Sequence, residues 1–232
     1  MPPPPPIRCA LFDIDGTLVS MRGAGPRAMD RAFLSRTGVP DAFRDLPMAG
    51  RSDRAIVDSA IERLLARGCA VPCDEAFHRE FIARYLVELE AEAAPEGPSV
   101  CPGVIATLDV LERRGVALGL GTGNFEGAAR IKLERFGLWS RFSFGGFGDA
   151  TPRRVDVIRN GAREALRRCS AAALEIVVIG DTPADIEAGR AIGARVLAVA
   201  TGPVPLSELA GLRPDAAFPT LFEALSAGFW TG

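Results

Sequence analysis

The chain has 232 residues, of which 48% are hydrophobic and 24% charged, and its formal net charge is -2. Such a composition is typical of a globular protein with one full domain and a smaller second one. The near-neutral charge contains no basic block, so we expect no nucleic-acid partner and no membrane partner. No stretch reaches the roughly 18 apolar residues of a membrane span. Prolines precede the first apolar run, which predicts no signal peptide and a cytoplasmic location.

The first third of the chain is predicted to be one strand followed by helices. Residues 7–14 form an apolar run that predicts a buried strand. Apolar residues then recur at helical spacing within residues 26–36, 56–65 and 77–89. Ser52 is the expected N-cap of the second of these helices, and Gly68 lies just past its end. A segment rich in proline and glycine follows at residues 95–103 and predicts a linker.

From residue 104 onwards, predicted helices and strands alternate. The helices are expected at residues 104–114, 125–136, 155–168 and 183–192, and the strands at 116–120, 142–147, 176–179 and 196–200. This alternation predicts a parallel sheet that is covered by helices on both faces. We therefore predict an α/β fold, with a Rossmann-like parallel-sheet core formed by residues 1–18 and 96–232. Residues 19–95 are predicted to be an inserted α-helical cap domain.

Three predicted strands end in polar residues that form turns. The first is followed by Asp-Ile-Asp-Gly-Thr at 13–17, the second by Thr-Gly-Asn at 122–124, and the third by Gly-Asp-Thr-Pro-Ala-Asp at 180–185. In open parallel sheets, ligands bind beyond the carboxyl ends of the strands. If these ends converge, one pocket contains Asp13, Asp15, Thr17, Thr122, Asn124, Asp181 and Asp185.

The predicted pocket contains carboxylates and hydroxyls but neither histidine nor cysteine. Four carboxylates together require a cation, and hard oxygen ligands favour magnesium. Hydroxyls and backbone N–H groups at glycine turns and helix N-termini favour an anion. A magnesium ion beside an anion site indicates phosphoryl chemistry, in which one aspartate can act as the nucleophile.

These motifs together resemble a known family. The sequence "DIDGTL", Thr122, the pair Arg153–Arg154 and the sequence "GDTPAD" follow the order and spacing of the haloacid dehalogenase-like hydrolase superfamily. The chain is most similar to its phosphoglycolate-phosphatase-like branch, which carries a helical cap after the first motif. The resemblance covers nearly the whole chain beyond the proline-rich start.

The resemblance implies a role for each site residue in a magnesium-dependent phosphatase of small phosphorylated metabolites. Asp13 would be the nucleophile and a magnesium ligand. Asp15 would bind Mg²⁺ through its backbone carbonyl, and its side chain would act as general acid and then as general base. Asp181 would complete the set of metal ligands and Asp185 would orient them. The residues expected to hold the phosphate are Thr17, Thr122, Gly123 and Asn124.

The chain departs from the family pattern at its catalytic cation. The family usually has a lysine about thirty residues after the second motif, but this window contains no lysine. We predict that Arg154 replaces it, with Arg153 as the close competitor, although arginine and lysine are not equivalent. Lys132, the only lysine, is predicted to face solvent. Arg51 lies in "GRSD", which resembles a cap segment that lines the substrate pocket in related phosphatases.

Three alternative functions are considered for the same motifs. A phosphosugar mutase of the same fold keeps both aspartates of the first motif, and the sequence does not separate it from a phosphatase. A haloacid dehalogenase has no leaving alcohol to protonate, so Asp15 argues against it. A catalytically inactive module that binds phosphometabolites is the third alternative. His78, the only histidine, is predicted to lie solvated on the polar side of its helix, which argues against triads that need a positioned histidine.

Overall fold

The computed structural model describes residues 7–92, 97–149, 151–169 and 175–231. In chain order its strands are β1 (Cys9–Phe12), β2 (Val19–Ser20), β3 (Ser99–Val100), β4 (Ala117–Gly121), β5 (Phe144–Gly146), β6 (Ile176–Gly180), β7 (Arg195–Val199) and β8 (Ala216–Phe218). Six of these strands form one sheet in the order β5-β4-β1-β6-β7-β8, and all neighbours pair in parallel. The predicted parallel α/β sheet is therefore confirmed. β2 and β3 form a separate antiparallel ribbon.

The helices of the described residues alternate with these strands. They are α1 (Ala24–Thr37), α2 (Asp53–Ala66), α3 (Glu75–Glu92), α4 (Val104–Arg113), α5 (Glu126–Glu134), α6 (Arg154–Arg168), α7 (Pro183–Ala191), α8 (Leu206–Gly211) and α9 (Leu221–Ser226), with 3-10 turns at Trp139–Arg141 and Phe229–Thr231. The predicted helices and strands are all present, with bounds that differ by a few residues. Within the described residues, no helix is both long enough and apolar enough to cross a membrane.

The position of β1 determines where the polar strand ends meet. β1 lies between β4 and β6, and Phe12 is in register with Leu120 and Ile179. All four residues of β1 are completely buried. A parallel strand covered on both faces needs apolar side chains in both directions, which explains its continuous apolar sequence. Because β4, β1 and β6 run the same way, the residues that follow them lie at one edge of the sheet.

Helices α1, α2 and α3, here called the inserted helices, lie between β2 and β3 in the chain. Their packing is aromatic: Phe33 lies edge-on to Phe77 at 5.7 Å between ring centroids, and Phe81 stacks on Tyr85 at 6.1 Å. The Ser52 hydroxyl accepts a hydrogen bond from the backbone N–H of Ala55, so the predicted N-cap is confirmed. The assignment of residues 19–95 to a separate cap remains a prediction. Its predicted end at residues 95 and 96 lies outside the described residues, as does most of the proline-rich start.

The prediction that His78 is solvated was wrong. His78 is only 4% exposed. Its Nε2 lies 2.8 Å from Asp58 Oδ1 of α2, and its Nδ1 lies 2.9 Å from the Asp74 carbonyl oxygen. The periodicity of α3 places His78 beside the aromatic face, and a carboxylate from the neighbouring helix makes its burial possible because buried polar groups need hydrogen-bond partners. His78 therefore joins α2 to α3.

Helix α6 packs unusually close to β5. A Cβ atom built on Gly146 would lie 1.9 Å from the carbonyl oxygen of Val157 and 2.8 Å from the backbone nitrogen of Gly161. The Gly146 carbonyl accepts a hydrogen bond of 3.1 Å from the backbone N–H of Thr122. A residue without a side chain is required at position 146 because backbone atoms, which cannot rotate away, occupy that space. This contact fixes the end of β5 beside Thr122.

We expect Gly146→Ala to lower the free energy of unfolding by about 1–3 kcal/mol, since the new methyl group forces α6 and β5 apart. The matched control is Gly211→Ala, which adds the same group where nothing lies within 4 Å of it. The control is expected to be neutral or stabilising by up to about 1 kcal/mol, as for other helical glycines. Urea unfolding of both variants measures the difference. Equal stability of Gly146→Ala and the native chain would contradict the close packing.

Candidate active site

Asp13 and Asp15 follow β1 at the edge of the sheet. The backbone N–H of Asp13 continues the sheet by donating to Ile179 O at 2.9 Å. Gly16 then turns the chain with φ +81, and a Cβ atom there would lie 2.4 Å from Asp181 Oδ2. Both the positive φ and the close approach require glycine. Asp13 is 8% exposed, whereas the Asp15 side chain is 45% exposed, so the two carboxylates occupy different environments.

Asp13, Asp181 and Asp185 form a cluster of buried acids. One carboxylate oxygen from each lies within 4.8 Å of the others. Burial raises the pKa of Asp13, and it raises the pKa of Asp181 to about 9, an effect to which the charges of Asp13 and Asp185 add. Thr17 donates to Asp181 Oδ1 at 3.0 Å, which places its hydroxyl against this acid. The cluster therefore has to be compensated by protons or by a cation at neutral pH.

The donor atoms of the cluster fit a hard divalent cation. All of them are oxygens, and no histidine or cysteine among the described residues lies in the group. Asp185 already accepts bonds from the backbone N–H of Thr182 at 3.1 Å and from its hydroxyl at 2.6 Å. This leaves Asp13 and Asp181 as the carboxylates best able to bind an ion. A bound divalent cation would offset the mutual repulsion of these carboxylates.

Arg154 is the cation closest to Asp13. Its Nη2 lies 2.9 Å from Asp13 Oδ1, its Nε donates to Asp185 Oδ1 at 2.9 Å, and the residue is 9% exposed. The neighbouring Arg153 has a side chain that is 75% exposed and lies 3.6 Å from Asp156. Of the two arginines, Arg154 and not Arg153 is therefore the one in contact with Asp13.

Thr122, Gly123 and Asn124 follow β4. The Asn124 amide nitrogen donates to Thr122 Oγ1 at 2.8 Å and to Asp15 Oδ2 at 2.9 Å. A Cβ atom on Gly123 would lie 2.3 Å from the Arg51 carbonyl oxygen, so this turn is in close contact with the segment directly before α2. The turn therefore connects the sheet edge both to Asp15 and to the segment that contains Arg51.

The prediction that Lys132 faces solvent was wrong. Lys132 is 4% exposed, and its Nζ donates to Asp15 Oδ2 at 2.6 Å and to Asn124 Oδ1 at 2.5 Å. The buried face of α5 consists of residues 128, 129, 132 and 133. Lys132 is four residues from the buried Ala128 and therefore shares its face. This spacing was the signal in the sequence that could have identified the lysine as buried.

Asp53 is a further site residue that the sequence did not reveal. Its backbone N–H donates to Gly123 O at 2.7 Å, and its carboxylate accepts from the backbone N–H of Phe125 at 2.9 Å. Burial raises its pKa to about 7, although Lys132 lowers it. Asp53 is the first residue of α2, so these bonds attach the inserted helices to the sheet edge.

A cavity of about 420 Å³ lies between the sheet edge and the inserted helices. From the sheet side it is lined by residues that include Asp13, Asp15, Gly123, Asn124, Lys132, Arg154 and Asp181, and from the other side by Met29, Met48, Arg51, Asp53, Ile56 and Tyr85. Most of the predicted site residues therefore line one cavity, whereas Thr17, Thr122 and Asp185 do not line it. The Arg51 guanidinium, however, donates to Ala55 O at 2.9 Å and to Ser59 Oγ at 2.7 Å within the inserted helices.

The chain matches a family model and curated proteins along most of its length. The model of the haloacid dehalogenase-like hydrolases matches residues 7–193. The probable phosphatase IndB of Dickeya dadantii is 27% identical over 221 residues, which cover 94% of this chain and 91% of that protein. The phosphoglycolate phosphatase of Agrobacterium fabrum is 29% identical over 229 residues, with 93% of each chain covered.

A solved structure shows the same fold. CbbY from Rhodobacter sphaeroides, determined in complex with phosphate, superposes with a TM-score of 0.71 at 21% identity, over 94% of this chain and 96% of that one. The family match spans the first aspartate motif, the turn after β4 and the aspartates after β6. The chain therefore belongs to the haloacid dehalogenase-like hydrolase family, as a phosphatase like the curated relatives that it matches.

Proposed function

We propose that the chain is a magnesium-dependent phosphatase of small phosphate monoesters that works through an aspartyl-phosphate on Asp13. The observation that carries this proposal is the position of Asp13. It lies at the sheet edge of the cavity, 2.9 Å from the Arg154 guanidinium and within the acid cluster. A carboxylate held beside a cation in the lining of a cavity is suited to attack phosphorus.

The reaction proceeds in two displacements at phosphorus. An Asp13 carboxylate oxygen attacks the phosphorus atom, the bond to the ester oxygen breaks, and Asp15 gives its proton to the leaving alcohol. Water then attacks the phosphorus of the aspartyl-phosphate, Asp15 takes a proton from this water, and the bond to Asp13 breaks. The sum is a monoester plus water giving an alcohol plus phosphate. Asp15 fits both proton transfers because it is half exposed in the same cavity.

The negative charge that develops on the phosphoryl oxygens has to be stabilised by cations or hydrogen-bond donors. Arg154 supplies one cation directly beside the nucleophile. The turn at 122–124 supplies the Thr122 hydroxyl and the backbone N–H groups of Gly123 and Asn124 as hydrogen-bond donors. Thr17, which we predicted to bind phosphate, donates to Asp181 instead, so we assign it to hold this acid in place.

Magnesium is proposed as the cofactor on the chemistry of the donor atoms. Asp13, Asp181 and the Asp15 carbonyl would hold it, and Asp185 would support Asp181 and Arg154 from behind. When bound, the ion would neutralise the acids and withdraw charge from the phosphoryl oxygens.

The substrate is proposed to be a small phosphorylated metabolite, since the cavity of about 420 Å³ has room for a compact leaving group. Three lining groups, Arg51, Asp53 and Tyr85, approach from the inserted helices. Curated relatives carry the name phosphoglycolate phosphatase, so 2-phosphoglycolate is the first member of the test panel. Release of free phosphate in equal amount to the alcohol distinguishes this reaction from that of a mutase, whose product stays phosphorylated.

Replacement of the nucleophile is the direct test. We expect Asp13→Asn to lower the rate of phosphate release at least about 10³-fold, because the amide cannot form the phosphoryl-enzyme. The matched control is Asp109→Asn on α4, where the acid is 45% exposed and pairs with Arg141. The control should keep the native rate within about twofold. Activity that survives Asp13→Asn would contradict the mechanism.

The two neighbouring arginines give a second test. We expect Arg154→Ala to lower kcat by about 10²-fold or more, because the charge beside Asp13 is lost, and Arg153→Ala to change it less than about twofold. Removal of Arg154 also leaves two buried acids without their partner, so a melting curve accompanies the assay. Arg154→Lys, which keeps the charge, should recover part of the rate. A larger effect at Arg153 would overturn the assignment.

Metal binding can be measured without turnover. We expect Mg²⁺ to raise the melting temperature of the native chain, because it binds the folded acid cluster and not the unfolded chain. Asp181→Asn should abolish this rise, whereas Asp109→Asn should keep it. Removal of Mg²⁺ by chelation should stop phosphate release. A rise that is equal in Asp181→Asn would place the ion elsewhere.

A further inference from the structure

Lys132, Asp15 and Asn124 form a triangle of hydrogen bonds. Its Nζ is 2.6 Å from Asp15 Oδ2 and 2.5 Å from Asn124 Oδ1. The third side of the triangle is the 2.9 Å bond that the Asn124 amide nitrogen donates to the same Asp15 Oδ2. Lys132 is almost completely buried on the inner face of α5. A buried charge with two specific partners holds those partners in a defined geometry.

The ammonium group determines which way the Asn124 amide faces. A lysine ammonium has only donors, so it requires the amide oxygen of Asn124 on its side. The amide nitrogen is thereby directed at Asp15 Oδ2 and at Thr122 Oγ1, 2.8 Å away. If the amide were reversed, its oxygen would face the Asp15 carboxylate, and two acceptors would oppose each other. Lys132 therefore sets the direction of every bond in the group.

The two oxygens of Asp15 differ as a result. Oδ2 accepts from both Lys132 and Asn124, whereas no donor among the described residues reaches Oδ1. The carboxylate is thus held through Oδ2, while the Asp15 side chain lines the cavity and is 45% exposed. A general acid works best when the oxygen that transfers the proton is held near the leaving group.

We propose that Lys132 is a positioning residue for Asp15: it fixes the carboxylate and the Asn124 amide so that Asp15 Oδ1 faces the substrate. This inference rests on the proposed function, in which Asp15 transfers the proton. The Lys132 ammonium contacts Asp15 and Asn124 and not Asp13, so its proposed effect passes through these two partners. The only lysine of the chain thus contacts Asp15, the proposed general acid, while Arg154 contacts Asp13, the proposed nucleophile.

Lys132→Met tests the proposal, because methionine has a similar length and no charge. The expected result is a fall in kcat of about 10–100-fold for an alkyl phosphate, with KM changed less than about threefold. For p-nitrophenyl phosphate, whose leaving group needs no proton, the initial release of p-nitrophenolate should remain within about threefold of the native rate. Lys132→Arg, which keeps the donors, should restore part of the kcat. The matched control is Arg130→Met on the same helix, where the side chain is 61% exposed.

Two kinetic results would overturn the proposal. One is a Lys132→Met variant that keeps the native kcat for the alkyl phosphate. The other is an equal loss for both substrates, which would indicate general damage to the site. A crystal structure of Lys132→Met gives a readout apart from activity: the Asp15 carboxylate and the Asn124 amide should leave their native positions, and unchanged positions would also overturn the proposal. A native chain without phosphatase activity on any substrate would refute the proposed function, and the crystal structure would still decide the positions.

Discussion

The arrangement of the site depends on the need to compensate buried carboxylates at the ends of β1 and β6. Asp13, Asp181 and Asp185 lie within a few ångströms of one another, and burial raises the pKa of Asp13 and of Asp181. Charges so placed are unfavourable unless cations stand beside them. Arg154 of α6 supplies one such cation to Asp13 and Asp185, and the charge that remains on the cluster suits a divalent ion. A second cation, from α5, lies beside the neighbouring Asp15. The residues that follow the central strands and the residues proposed for catalysis therefore lie together at one edge of the sheet.

The two protein cations divide this task between different acids. Arg154 contacts Asp13 and Asp185, whereas Lys132 contacts Asp15 and Asn124. The inserted helices close the other side of the cavity through Asp53, whose bonds to Gly123 and Phe125 join α2 to the turn after β4. The same turn thus carries Asn124, which is a partner of Asp15, and the backbone groups that contact the inserted helices.

The sequence predicts the fold and the acids of the site well, because both depend on local patterns. Continuous apolar runs identify the buried strands, helical spacing identifies the long helices, and polar residues directly after strands identify Asp13, Asp15 and Asp181. The short elements β2, β3, β8, α8 and α9 have too few residues to show a period. They were missed for this reason.

Two polar side chains were wrongly predicted to be exposed, and both errors have the same physical cause. Lys132 and His78 are each 4% exposed because a carboxylate from a distant part of the chain meets them. These partners, Asp15 and Asp58, lie 117 and 20 residues away in sequence. Helical spacing shows which face a residue occupies, but the partner that makes burial of a charge favourable is known only from the tertiary structure. Asp53 was missed for the same reason.

The arginine beside Asp13 suits the particular acids around it, because it contacts two of them. A lysine has a single nitrogen, whereas the Arg154 guanidinium directs Nη2 to Asp13 and Nε to Asp185 from one rigid plane. Asp185 is itself held by the backbone N–H and the hydroxyl of Thr182 at the start of α7. The first turn of α7 therefore fixes Asp185, Asp185 fixes the guanidinium, and the guanidinium fixes Asp13. This chain of contacts gives Asp13, the proposed nucleophile, one orientation, which a single ammonium group on a flexible four-carbon stem would hold less strictly.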